Sequence, residues 1–530
     1  MLSPTKLTTL EVVSSERGRR LTARSRRGAP FAAGLIAGLL LAGLLVPLIH
    51  GRTTTVVDAG SAGTGLDPSA LPAASGDPGS TASDGVAGAG TGNGTGSVTG
   101  SASGTGASAT AASAGHAGTV GKGQSTASGK AEVGIRADGV HVGVLIIDLG
   151  GVSKVGFAGG VNGLDPASQE RWYNAFFKEI NDAGGIGGRK AIPEYSVYDP
   201  TNTETQRAAC LKLTDEAKVF VALENTGGYR GPDLRCFTEE HRTPYVSEFD
   251  RYNVDEIRRS GPYLIGYGMS AARGVGNAAY EADRLGKLKG KKIGIVESER
   301  PGDKETDDVG LIASLQKLGH TVASRYVFSE DLNTAATQAP LAVHQLQAAG
   351  VDTVFVNTNV LTSTQFVNAA TGQAYRPQYV TSDWYGLSTD FGAQEMPAAF
   401  DGALAFVAER DGEYNTPGRA EPAVDKNCRE AVQKATGENY DLKSNQNAVI
   451  VQTCGVVRLF AQIARATLTN LTRDGFAAAL QRVGRVDPPR MAPGYFAPGR
   501  YDAASQVRTK TWSIGCTCWK ITEEFHDTRV

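Results

Sequence analysis

The fold is decided by residues 141–200, which open with His141-Val-Gly-Val-Leu-Ile-Ile147 and turn at Asn181-Asp-Ala-Gly-Gly-Ile-Gly-Gly-Arg189. The first run is almost continuously apolar, the pattern of a strand buried on both faces, as parallel strands are. Trp172, Tyr173, Phe176, Phe177 and Ile180 then fall at i, i+1, i+4, i+5 and i+8, one broad apolar stripe on a helix. The glycines that follow supply a left-handed helix cap and a tight reversal. Glu194-Tyr-Ser-Val-Tyr-Asp199 reads as a second short strand. A strand, a helix and a strand in this order form a right-handed unit that covers a parallel sheet.

Outward from this unit the alternation continues. Strands are predicted at 219–223, 244–249 and 262–267, separated by helices near 202–216 and 231–241. A helix after Ser270 leads to a strand at 291–296, and the series starts again with strands at 321–328, 353–357, 378–382 and 403–408. Two consecutive α/β series imply two Rossmann-like lobes. Helices at 426–436, 446–468 and 473–483 follow with no strand between them.

The helix ending N-x-x-G-G-I-x-G, with a strand ending Tyr198-Asp199 after it, resembles the branched-chain amino-acid-binding proteins of ABC importers. By order of elements the resemblance runs from about residue 138 to 521. It implies a type I periplasmic-binding fold: two lobes joined by a multi-strand hinge, with the ligand held between them. The implied layout is lobe 1 at 138–268, lobe 2 at 269–410, a return to lobe 1 at 411–490, and a last hinge crossing and tail at 491–530.

The N-terminal quarter has a different composition. Residues 1–30 form a basic tail with Lys6 and six arginines, and 31–49 is an apolar run without charge. At about 1.5 Å per residue that run nearly spans a hydrocarbon core of roughly 30 Å. The preceding basic cluster predicts a cytoplasmic N-terminus and an external remainder. A transmembrane anchor and a cleaved signal segment both fit this pattern, the run being longer than most signal peptides carry. Residues 50–137 are nearly all Gly, Ser, Ala and Thr, which cannot bury enough surface to offset ordering entropy. A disordered linker, a tether from membrane to binding domain, is the expectation. With the resemblance, this places the binding domain on the outside of a bacterial, Gram-positive-type cell.

Cysteine usage agrees with an outside location, since all six cysteines follow residue 209. Cys210 and Cys236 fall on neighbouring predicted helices, as do Cys428 and Cys454, and both pairs are expected as disulfides. Cys516 and Cys518 flank Thr517 on a predicted strand, where their side chains would share a face. A mutual bond between these two is also expected, against the strain of so short a loop. No Cys-x-x-Cys occurs and the seven histidines are scattered, so neither metal nor cofactor is called for. A formal net charge of −2 and the lack of a basic stripe give no sign of a nucleic-acid partner.

The resemblance places the ligand at loops after the strands. Asn225-Thr-Gly-Gly-Tyr229 follows the 219–223 strand; relatives hold the ligand carboxylate there with a serine, and this chain offers Thr226, flanked by Gly227 and Tyr229. The next loop, where relatives read Ser-Pro-x-x-Thr, is Val246-Ser247-Glu248-Phe249-Asp250. Its acids would repel a ligand carboxylate and favour an amine. In lobe 2, Asn357, Thr358 and Asn359 make an amide-rich loop suited to a polar ligand, and Asp383 stands where relatives pair the ligand ammonium. Trp384 and Tyr385 would wall the pocket. The competing reading of Asp383 is a helix cap beside a core tryptophan. Phe157 is expected in the core. Arg300-Pro-Gly-Asp303 replaces a Tyr-Gly of the relatives, and Asp303, Glu305, Asp307 and Asp308 read as the solvated first turn of a helix at 304–318.

No Ser-His-Asp order, G-x-S-x-G or H-E-x-x-H occurs in the lobes, so the expected function is binding rather than catalysis. The implied role is an extracellular solute-binding receptor for a small polar, amino-acid-like ligand, delivering it to an ABC permease. The alternatives are a ligand-sensing ectodomain acting through a partner protein and, further off, a cleft enzyme using Glu248 and Asp383 as acid and base.

Overall fold

The computed structural model describes residues 132–150, 163–226, 230–248, 252–467 and 471–530. The basic tail at 1–30, the apolar run at 31–49, the linker as far as residue 131, and Phe157, Gly227, Tyr229, Phe249 and Asp250 lie outside them.

The opening unit forms as its letters dictate. Strand β1, Gly139–Ile147, is buried along its whole length. The helix Pro166–Asp182 starts with Asp165 accepting from Ser168 N–H and Pro166 in the first turn. It buries Trp172, Tyr173, Phe176, Phe177 and Ile180 on one side. Asn181 then grips the second strand: its Oδ1 accepts from Ala191 N–H at 2.8 Å and its Nδ2 donates to the Ala191 carbonyl at 2.9 Å. Gly185 sits at φ +67°, and a Cβ there would lie 2.0 Å from the Arg189 carbonyl oxygen. The turn therefore admits only glycine at that position.

Lobe 1 is a five-stranded parallel sheet made of β1, β2 (Lys190–Tyr198), β3 (Val221–Glu224), β4 (Tyr245–Ser247) and β5 (Leu264–Gly266), in the order β2-β1-β3-β4-β5. Lobe 2 repeats the pattern with β6 (Ile293–Ser298), β7 (Val322–Phe328), β8 (Thr353–Asn357), β9 (Gln378–Ser382) and β10 (Leu404–Val407), ordered β7-β6-β8-β9-β10. A short pair, β11 (Arg485–Val486) with β12 (Gly494–Tyr495), precedes the last crossing. The chain then adds β13 (Gln506–Ser513) antiparallel to β10, β14 (Cys518–Ile521) antiparallel to β13, and β15 (His526–Asp527) at the other end of β13. The hairpin β13–β14 went unread in the sequence.

The helix Asn445–Ala466 is long and apolar enough to cross a membrane, but it is enclosed by protein. Its residues from Val449 to Ala464 share one core with Trp172, Phe176, Val221 and Val246, so the C-terminal helices cover lobe 1. Three segments cross between the lobes side by side. Gly266 N–H donates to the Tyr501 carbonyl, Ala504 N–H to that of Gly268, and Ala492 N–H to that of Ala408, at 2.7–3.0 Å. Met269, Ala408, Ala492, Ala504 and Val507 form a small core around this hinge.

All six cysteines are paired, Cys210 with Cys236, Cys428 with Cys454 and Cys516 with Cys518. The last pair agrees with the sequence reading in its bond and corrects it in its geometry. The bond is present, and Cys516 lies in the turn before β14 rather than sharing a strand face with Cys518.

Candidate functional site

The carboxyl ends of the parallel strands in both lobes open onto one cleft, the usual ligand position in doubly wound sheets. A cavity of about 490 Å³ occupies part of it. Lobe 1 lines it with Pro200, Thr203, Gln206, Thr226, Arg230, Asp233, Arg235, Asp255 and Glu256, and lobe 2 with Arg300, Pro301, Glu330, Asn359 and Tyr385. A second cavity of about 210 Å³ shares Thr226 and Tyr385 with the first. Its other walls are more apolar, with Ile147, Leu149, Leu164, Val360, Val449 and Phe391, though Asp390, Asp411 and Arg490 also reach it.

Tyr385 stands at the junction. It follows β9 with φ 68°, a left-handed conformation rare for an aromatic residue. Its hydroxyl donates to Asp303 Oδ2. The Arg230 guanidinium from lobe 1 lies 5.2 Å from its ring centroid and that of Arg300 from lobe 2 lies 5.4 Å away. Such distances are within cation–π range. Burial pushes the hydroxyl far above its ordinary pKa, so it stays a donor.

Arg300 ties the lobes together. Its Nη2 is 2.9 Å from Asp303 Oδ1 in lobe 2, and its Nη1 is 3.4 Å from Glu256 Oε1 in lobe 1. Burial opposes its charge, but Glu256, Tyr385 and Asp303 outweigh burial and keep the guanidinium protonated. Glu256 also forms a capping box with Asn253 and accepts from Gly231 N–H at 2.8 Å. Asn253 Nδ2 donates across the cleft to Asp303 Oδ1 at 2.7 Å and to the Pro301 carbonyl at 2.9 Å. Val254 N–H donates to Thr306 Oγ1 at 3.0 Å, and Arg258 pairs with Glu305 at 2.8 Å. In this state the two lobes are latched along one edge of the cleft.

Of the candidate residues, Thr226 and Tyr385 line both cavities. Thr226 directs its hydroxyl and its N–H to Glu224, which also accepts from the Tyr198 hydroxyl at 3.1 Å. Asn359, from the amide-rich loop, lines the larger one. The other described candidates line neither cavity. Asn225 is buried and donates to Thr453 Oγ1 at 2.7 Å, joining β3 to the Asn445–Ala466 helix. Ser247 and Glu248 are buried at the end of β4, where Glu248 adds to the effect of burial in raising Tyr267. Asn357 donates to Asp307 Oδ1 at 2.6 Å inside lobe 2. Asp383 accepts from Ala408 N–H at 2.7 Å; burial, then the neighbouring Glu409, pushes it up to about 7. Trp384 belongs to the lobe 2 core.

The acidic run at 303–308 is only half solvated. Glu305 is exposed, whereas Asp303 and Asp307 are fully buried. Helical spacing separates these pairs, but the sequence carries no sign of which side meets the other lobe. Arg230, Glu256, Glu330, Asp390 and Arg490 were missed altogether. Arg300 had one signal, the displacement of a Tyr-Gly by Arg-Pro-Gly-Asp.

The family model of the periplasmic binding protein matches residues 149–508. No curated protein matches the chain. Among solved structures, a possible leucine/isoleucine/valine-binding protein from Rhodopirellula baltica SH 1 is similar at 17% identity and a TM-score of 0.52, over 73% of this chain and 97% of that one. A fatty acid ABC transporter substrate-binding protein from Thermomonospora curvata reaches 17% and 0.53, over 76% and 95%. A solute-binding protein from R. palustris in complex with 4-hydroxybenzoate reaches 16% and 0.54, over 74% and 98%. Identities this low speak to the fold. With two doubly wound lobes, three crossings between them and a cleft at the strand ends, the chain belongs to the periplasmic binding protein family and has its type I fold.

Proposed function

We propose that this protein is the solute-binding receptor of an ABC-type importer and holds a small polar, amino-acid-like ligand between its lobes. One observation carries the reading: the 490 Å³ cavity takes its walls from both lobes and presents both signs of charge around Tyr385. Arg230 and Arg300 suit an anionic group, Glu256 and Glu330 an amine, and Leu149, Leu164 and Phe391 in the adjoining cavity suit an apolar side chain. Thr226 and Tyr385 touch the ligand from opposite lobes, with Gly227 and Tyr229 in the same loop as Thr226. Asn225, Ser247, Glu248, Asn357, Asp383 and Trp384 are buried in the lobes and line neither cavity. The Rhodopirellula relative is named for leucine, isoleucine and valine, and one from Desulfitobacterium hafniense was solved with Leu. These support an amino-acid-like ligand, while the aromatic and fatty acid relatives widen the panel to test.

Binding would stabilise the closed arrangement of the lobes, and a permease would receive the ligand on reopening. The anchor or signal segment at 31–49 and the linker at 50–137 would put the binding domain outside the cell on a tether. The test is a melting-temperature screen of amino acids, aromatic acids and short fatty acids, followed by calorimetry. Ligand should raise the melting temperature by mass action. Tyr385→Ala should weaken binding at least tenfold. A ligand that binds with unchanged affinity to Tyr385→Ala and Arg230→Ala would sink the assignment of this cleft.

A further inference from the structure

The third disulfide differs from the other two in loop length and in exposure. Cys210, Cys236, Cys428 and Cys454 are completely buried, and each of their bonds closes a loop with a sequence separation of 26. Cys516–Cys518 has a separation of 2, and Cys516 is exposed at the tip of the β13–β14 hairpin. In the chain-entropy account stabilisation grows with loop length, so this bond contributes least.

The hairpin is also held without it. Trp512 and Trp519, opposite each other on β13 and β14, are buried and donate from Nε1 to the Ala393 and Leu387 carbonyls at 3.0 and 3.1 Å. Ile514 N–H donates to Asp401 Oδ1 at 2.9 Å, and the turn closes through Cys516 N–H to the Ser513 carbonyl at 3.3 Å. Opening the bond removes none of these contacts.

We infer that Cys516–Cys518 is a thiol–disulfide exchange site. An external thiolate can reach Cys516 Sγ, whereas Cys518, 6% exposed, is shielded by the strand. Attack forms a bond between the incoming sulfur and Cys516 Sγ, and breaks the Cys516–Cys518 bond with its electron pair leaving on Cys518. Cys518 shares a face of β14 with Lys520, whose ammonium lies 3.3 Å from the hydroxyl of Ser513, the cross-strand partner of Cys518. That cation favours the departing thiolate. A second external thiol then displaces Cys516, leaving as the oxidised disulfide. Two electrons and two protons pass from two thiols to the cysteine pair.

The test equilibrates the full chain in a series of glutathione to glutathione-disulfide ratios, with quenching by a mass-tagged alkylating agent and peptide mapping. Cys516 and Cys518 should become labelled over ratios at which the other four cysteines stay bonded, with no change in circular dichroism or melting temperature. In Cys518→Ser, glutathione disulfide should modify Cys516 at least tenfold faster than it modifies Cys518 in Cys516→Ser. The double variant Cys516→Ser/Cys518→Ser should melt within error of the parent. Opening only when all six cysteines react, equal rates in the two single variants, or a destabilised double variant would each overturn the assignment and leave the bond a structural brace.

Discussion

Replacing Arg300 by methionine tests whether the inter-lobe edge is held by charge. Methionine keeps the stem and removes the guanidinium, leaving Asp303 and Glu256 as buried carboxylates without their cation. Removing one partner of a buried ion pair costs about 3–5 kcal/mol. Each acid retains other donors, Asp303 from Asn253 and Tyr385, Glu256 from Gly231 and Asn253. Those bonds reduce the loss to roughly 2–3 kcal/mol. For a folded part of about 400 residues the unfolding entropy is roughly 0.8 kcal/mol/K, so the melting temperature should fall by about 2–4 °C. Asp303→Asn added to Arg300→Met should recover much of that fall, because no charge is then stranded at that acid. Calorimetric melting of the four forms gives the coupling, and titration with the screened ligand gives affinity, which should fall tenfold or more. A melting temperature within about 1 °C of the parent, together with unchanged affinity, would refute both the latch and its role in binding.

Asp383 gives a pH test. Its carboxyl keeps a proton to about pH 7 in the folded chain and, like an ordinary aspartate, loses it near pH 4 once unfolded. The stability tied to that proton is therefore full below pH 4 and is lost as pH rises to 7, on the order of 2–4 kcal/mol in all. Asp383→Asn should gain on the parent between pH 5 and pH 8 with ligand affinity unchanged; an equal difference at both pH values contradicts the burial argument. Removing Cys210–Cys236 or Cys428–Cys454 by paired serine substitution should lower unfolding free energy by about 3 kcal/mol in denaturant titrations, and no loss would mean that the bonds do not form in the exported protein. Protease applied to intact cells should cut within 50–137 and release a fragment containing 138–530, whereas recovery of the protein in the medium with an N-terminus near residue 60 would favour a cleaved signal.

Much of the architecture is local and therefore readable. A wholly apolar run of strand length, a helix stripe ending in Asn181 and paired glycines, and a second strand determine one βαβ unit, because period and turn chemistry depend on neighbours in the chain. Repetition of that unit determines two lobes. The cysteine pairs of the helices were legible for the same reason, each joining helical segments only 26 residues apart in the chain.

The site was legible only as far as its loops. Asn225 and Thr226 are adjacent, yet one ties β3 to a helix more than two hundred residues later and the other faces the cleft. The same holds for Asp383, Trp384 and Tyr385: a left-handed backbone at Tyr385 turns that ring toward the junction of the cavities while the carboxylate is held by Ala408 N–H. Which way a side chain leaves a loop depends on backbone angles and distant packing. Arg300 carries the point furthest, since its partner Glu256 lies on the other lobe. An ion pair across a cleft leaves no periodicity in either segment, so tertiary structure alone decides it.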